Sequence, residues 1–235
     1  MKFILESSGT PLVPRWERDP VTLHYALPTA ITAFGNPWQA EHAQDFYISQ
    51  QGTKCWLLDG NRVHHRGFQS GWHSTPQAGG PFVAMASAEE CLGYWLMNKF
   101  GHLVRVGNVP LLPPPQMRNT QAVSITAAPQ GHGAWVLGQD GQVHHVGTAL
   151  HLGHGIESGK RAIKIRSLYR GLGYFILYAD GTVRAFGEAK HFGEAILEEE
   201  IALDLLVTPD GGGYWLAVHG KPWLAFGNAS AMPVS

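Results

Sequence analysis

Apolar residues in this chain come in short runs, each closed by a turn and followed by a second apolar run. Gly93-Tyr94-Trp95-Leu96, Gly133-Ala134-Trp135-Val136, Gly173-Tyr174-Phe175-Ile176 and Gly213-Tyr214-Trp215-Leu216 place one aromatic every 40 residues. An earlier copy, Lys54-Cys55-Trp56-Leu57, lies 39 residues before Trp95. The turns are Asp59-Gly60, Phe100-Gly101, Asp140-Gly141, Asp180-Gly181 and His219-Gly220, and the second runs end at Gly67, Gly107, Gly147, Gly187 and Gly227. Asp-Gly between two apolar runs predicts a β-hairpin, with a type I′ turn as the expected geometry. A further apolar stretch precedes each hairpin: Phe46–Ser49, Phe82–Met85, Val123–Thr126, Ile163–Ile165 and Leu203–Val207. These read as a preceding strand.

Three strands and a variable fourth in about 40 residues make a small antiparallel sheet, the size of one propeller blade. The fold expected is therefore all-β, a single β-propeller over residues 1–235. Residues 41–235 hold five regular repeats. Residues 10–40 read as an atypical first blade, because Ala30-Ile31-Thr32-Ala33-Phe34-Gly35 mirrors Trp223-Leu224-Ala225-Phe226-Gly227. That gives six blades; five stays open, since the first unit lacks both the aromatic and the Asp-Gly turn. Residues 1–9 are left over, and the tail after Gly227 is short. Lys2–Glu6 is thus expected to pair with the last blade and close the ring, removing open sheet edges. Pro110–Pro115 falls inside one repeat without changing its length and reads as a rigid loop.

Composition narrows the function. Charged residues make up only 15% of the chain, with a formal net charge of −1, and no long basic run exists to neutralise a phosphate backbone. Nucleic acid is therefore not an expected partner. Phe3-Ile4-Leu5 is the only apolar run in Met1 to Gly9, too short for a signal peptide or membrane helix. The expectation is no membrane insertion, and a chain cytoplasmic as synthesised or carried in an exported or virion-like assembly. Cys55 and Cys91 are the two cysteines and read as half-buried thiols.

The last unit, with Thr208-Pro209-Asp210-Gly211-Gly212-Gly213-Tyr214-Trp215-Leu216 and then Leu224-Ala225-Phe226-Gly227-Asn228-Ala229, resembles repeats of many bacterial, especially actinobacterial, surface and cell-wall proteins. That resemblance covers about residues 44–229 and implies a propeller, while saying little about the ligand. The short blades are similar also to tectonin and tachylectin-type lectins. Leu152-Gly153-His154-Gly155 resembles part of the regulator-of-chromosome-condensation repeat, which is longer and seven-fold.

The hairpin aromatics Trp56, Trp95, Trp135, Phe175 and Trp215 fit wedges between blades better than sugar platforms, since a stacked core needs one large aromatic per repeat. The ligand-binding candidates are Trp38, Trp72, His151 and His191, which follow closing glycines and would form a ring near one face. Rings and imidazoles there can stack on sugars and donate to hydroxyls. His64-His65 and His144-His145 invite a metal reading, but adjacent strand residues point to opposite faces and cannot chelate one ion. No metal, no cofactor and no catalytic residue is expected, because no nucleophile, phosphate-loop or zinc-protease motif occurs. The function expected is a non-catalytic, lectin-like module that binds surface or cell-wall glycan; the alternative is a docking subunit with a protein partner in a larger assembly. The oligomeric state is not encoded in these patterns.

Overall fold

The structure is a computed structural model that describes residues 2–6, 14–17, 22–26, 43–49, 54–66, 80–87, 93–170, 172–198 and 201–231. It is all-β, with five three-stranded antiparallel sheets in sequence order and a 3-10 turn at Pro129–Gly131. The five sheets are β4 (Ala43–Ile48), β5 (Cys55–Asp59) and β6 (Arg62–Arg66); β7 (Phe82–Ala86), β8 (Gly93–Asn98) and β9 (Leu103–Gly107); β10 (Ala122–Ala127), β11 (Gly133–Gly138) and β12 (Val143–Gly147); β13 (Ala162–Ser167), β14 (Gly173–Tyr178) and β15 (Val183–Gly187); and β16 (Ala202–Val207), β17 (Gly213–Val218) and β18 (Leu224–Gly227). Each expected preceding strand is present, one or a few residues longer than its apolar run. No helix among the described residues is long and apolar enough to cross a membrane.

An N-terminal sheet adds β1 (Lys2–Glu6), β2 (Pro14–Glu17) and β3 (Thr22–Ala26) in the order β1-β3-β2. This corrects the expected closure by Lys2–Glu6. β1 runs parallel to β3, with Lys2 opposite Thr22 and Glu6 opposite Ala26, and does not extend the C-terminal sheet. The β2–β3 hairpin leaves one edge of β3 unpaired, and that nearby edge is what β1 covers. Ala30–Gly35 lies outside the described residues.

Burial follows strand order. The middle strands β11, β14 and β17 are buried at every position, whereas the third strands alternate with exposed residues, as in β12 and β18. A strand packed on both faces reads as a continuous apolar run, which is why Gly-Tyr-Trp-Leu does not alternate. The core lies between successive sheets: Trp56 and Leu58 meet Met85 and Leu96; Trp95 meets Ile125 and Val136; Trp135 meets Ile165 and Ile176; Phe175 meets Leu205 and Leu216. The hairpin aromatics are the wedges expected. Trp135 sits 5.3 Å from the Tyr174 ring and Phe175 sits 5.0 Å from Tyr214, each pair spanning two sheets. Cys55 is buried fully and not by half.

Two local expectations change. Only the glycine of each hairpin turn has positive φ, +87° at Gly141 for example, and Asp140 does not. A type I′ turn is therefore not formed. The Gly141 amide donates to the Gly138 carbonyl and the Asp140 carboxylate accepts from the Gln142 amide, the three-residue turn that ends in a left-handed glycine. The site demands glycine twice over, since a Cβ on Gly141 would meet the Gly155 carbonyl oxygen at 2.0 Å. The variable fourth strand is also absent from the described residues. The segments after Gly147 and Gly187 cross the sheet edge as irregular chain, with Gly153 and Gly193 at φ of +130° and +134°.

Candidate functional site

The first strands of the five sheets converge. β4 packs on β7, β7 on β10, β10 on β13 and β13 on β16. Each carries a bulge between its first and third residues, putting Asp45, Ala84, Ser124, Lys164 and Asp204 in equivalent places just after it. A bulge frees a backbone amide, and the side chain there can accept it. Asp45 Oδ1 accepts from the Phe46 amide and Asp204 Oδ1 from the Leu205 amide. Asp45 Oδ2 and Ser124 Oγ accept from the next sheet, at the amides of Met85 and Ile165.

Three of these side chains, Asp45, Lys164 and Asp204, form a buried charge cluster with Arg166. Lys164 Nζ lies 3.0 Å from Asp45 and 3.4 Å from Asp204, and Arg166 Nη2 lies 3.0 Å from both carboxylates. Arg166 Nε donates to the Leu205 carbonyl. Two carboxylates, an ammonium and a guanidinium sum to zero charge, the arrangement that makes burial tolerable. Burial works against ionised Asp45, but Lys164, Arg166 and the Met85 amide outweigh it and hold the carboxyl below the usual range. Burial also opposes the Arg166 charge, and Asp204 and Asp45 more than compensate, so its pKa is raised.

Above the cluster, the ends of the same strands enclose a cavity of about 90 Å³. Its walls include Phe46, Tyr47, Met85, Thr126, Arg166, Ser167 and Tyr169. Thr126 and Ser167 hydroxyls lie 2.9 Å apart, and Thr126 Oγ1 accepts from the Ser167 amide. The Arg166 guanidinium sits 5.2 Å from the Phe46 ring. Its Nη2 and Nε are engaged, while among the described residues Nη1 has no hydrogen-bond partner, which leaves two N–H donors on a side chain that lines the cavity.

The sequence candidates lie elsewhere. Trp38 and Trp72 fall outside the described residues. His151 and His191 are exposed, at equivalent points of the loops that follow β12 and β15, and neither lines the cavity. The His151 ring lies tilted between those of His154 (4.7 Å) and His145 (5.7 Å), and His191 Nε2 lies 3.6 Å from Glu194. The loops that carry them are pinned to both flanking sheets. Trp135 Nε1 donates to the Leu150 carbonyl at 2.8 Å, and from the next sheet Tyr174 donates to Gly153 and Tyr178 to Gly155. Burial pushes the Tyr178 hydroxyl up to about 12, so it stays a donor. Among the described residues, no group of three or more His, Cys, Asp or Glu is arranged to hold a metal ion.

The charge cluster and cavity were missed in the sequence, although a signal exists. Lys164 and Asp204 interrupt strands otherwise read as apolar, and they stand 40 residues apart at one repeat position, with Asp45 in the same place further upstream.

No model of a known protein family matches this chain, and no curated protein matches its sequence. The class of protein is set by fold alone: an all-β repeat protein with its first strands gathered on a neutral ionic cluster.

Proposed function

We propose that the chain is a six-bladed β-propeller acting as a non-catalytic, lectin-like module, and that it takes one neutral sugar unit of a surface or cell-wall glycan into the central cavity. Ring closure is supported by β17 lying against β2, the same middle-to-first-strand contact that joins β11 to β13 and β14 to β16. The binding reading rests on one observation above all, the unpartnered Nη1 of Arg166 beside aromatic and hydroxyl walls. Sugars present apolar C–H faces and hydroxyl edges. Phe46, Tyr47 and Tyr169 suit the first, and Arg166, Thr126 and Ser167 the second. The cluster below is already neutral, so an anionic ligand gains little there. The volume fits the edge of one ring and not a chain threading the centre.

A glycan array probed with wild type, Tyr169→Ala and His151→Ala tests this. Wild type and His151→Ala should bind the same glycans, and Tyr169→Ala should lose them with its melting temperature held within a few degrees. An empty array, or binding lost in His151→Ala and kept in Tyr169→Ala, refutes the assignment.

A docking role has its own support in Ile156 and Ile196, which are 61% and 92% exposed at equivalent loop positions. Light scattering on the purified chain, alone and in extracts fractionated by size, distinguishes a docking subunit from a free lectin.

A further inference from the structure

The loops after β12 and β15 are built alike but latched by different chemistry. His151-Leu152-Gly153-His154-Gly155-Ile156 corresponds to His191-Phe192-Gly193-Glu194-Ala195-Ile196. In the second loop, Glu194 Oε2 accepts from the Val183 amide at the start of β15. In the first, His154 Nδ1 accepts from the Val143 amide at the start of β12, at 3.1 Å. A carboxylate accepts that bond throughout the physiological range. An imidazole accepts it only while Nδ1 is unprotonated. Once Nδ1 carries a proton, two donors face each other and the bond is lost.

We infer that His154 is a proton-operated latch, fastening the loop of residues 148–160 to the start of β12 at neutral pH and loosening that attachment in mild acid, while the loop of residues 188–198 stays fastened. The groups facing His154 set the direction. His144 and His145 on β12 and His151 on the loop are imidazoles, and each resists a positive charge on its neighbour. Asp140, in the β11–β12 turn, favours it. Tyr178 of β14 contributes a hydroxyl spent on the Gly155 carbonyl, and the Glu157–Arg184 ion pair lies further along the loop. Burial, with His151 next, lowers the pKa of His154 below its ordinary 6.5, and burial lowers that of His144 too. The folded chain thus binds these protons less readily than the unfolded chain. The stabilisation is complete above about pH 6.5 and drains away as pH falls towards the folded-state values. In the companion loop the ring at the equivalent of His151, that of His191, lies 3.6 Å from the Glu194 carboxylate and not against another imidazole.

Amide hydrogen exchange at about pH 7.5 and about pH 5, corrected for intrinsic rates, reads this directly. Protection across residues 141–158 should drop about tenfold in acid, and protection across residues 181–198 should not. His154→Gln supplies a side-chain oxygen that does not titrate, so it should hold protection at both pH values. Equal protection at the two pH values in wild type, equal losses in both loops, or an acid loss that persists in His154→Gln overturns the latch.

Discussion

The interfaces between sheets and the centre of the molecule use the repeat in opposite ways. At the interfaces the same chemistry returns each time. Trp135 against Tyr174 and Phe175 against Tyr214 are one contact made twice, and the indole N–H of Trp95, Trp135 and Trp215 each reaches a carbonyl 15 residues further on. At the centre, equivalent positions hold Asp45, Ala84, Ser124, Lys164 and Asp204, and the copies differ because they meet. Five aspartates there would repel, and five alanines would leave the bulge amides without an acceptor. Repetition thus supplies bulk stability, and departure from repetition is concentrated where several copies share one space.

Removing a member of the centre should have the largest effect. Asp45→Ala strands Lys164 and Arg166 beside a single carboxylate in a buried site, and a loss of about 5 kcal/mol is expected in urea unfolding. A loss near zero would mean that water enters and screens the cluster. Trp135→Ala comes next, at about 4 kcal/mol, since this fully buried ring fills one interface and no other. If Trp135→Ala proves costlier than Asp45→Ala, the interfaces dominate the fold and the centre is secondary. Acid titration sharpens the contrast. Asp45 has its folded pKa below the ordinary 3.8, so its contribution is whole above that value and is lost as pH falls through the lowered one. Stability measured from about pH 5 down to about pH 2 should fall for wild type and fall less for Asp45→Ala. Tyr174→Phe, which keeps the ring and strips its bond to Gly153, should cost about 1 kcal/mol by thermal melting. At the outer rim, Ile196→Ser should change stability by less than about 0.5 kcal/mol, because this side chain is almost wholly in solvent.

The interfaces were legible in the sequence because their signal is periodic. Trp95, Trp135, Phe175 and Trp215 stand at one spacing, and the strands they predict are where the structure has them. The turn type was misjudged, since Asp-Gly suits both a type I′ turn and the longer turn whose final glycine alone is left-handed. The pairing of Lys2–Glu6 was not readable either. A short apolar strand can cover any nearby open edge, and chain distance favours β3. The centre was hidden for a different reason. Asp45 and Lys164 are 119 residues apart, and nothing local tells a charged residue inside an apolar strand which distant partner will neutralise it. His151 and His191 were picked for their places after the closing glycines, and the hydrogen bonds that fasten those loops have no composition signature.

The link from Asp45 to Lys164 and Arg166 also bears on how the chain folds. Repeat proteins whose units touch only their neighbours can gain or lose end units one at a time, with stability nearly a sum over units. Here the second-lowest stretch of strands in the chain, beginning at Ala43, contributes an acid whose bases belong to β13. A nascent or truncated chain ending before Ala162 would expose a buried carboxylate position without its cations. Folding should then be all-or-none across these sheets, slowed by the long loop that must close before the ionic centre forms.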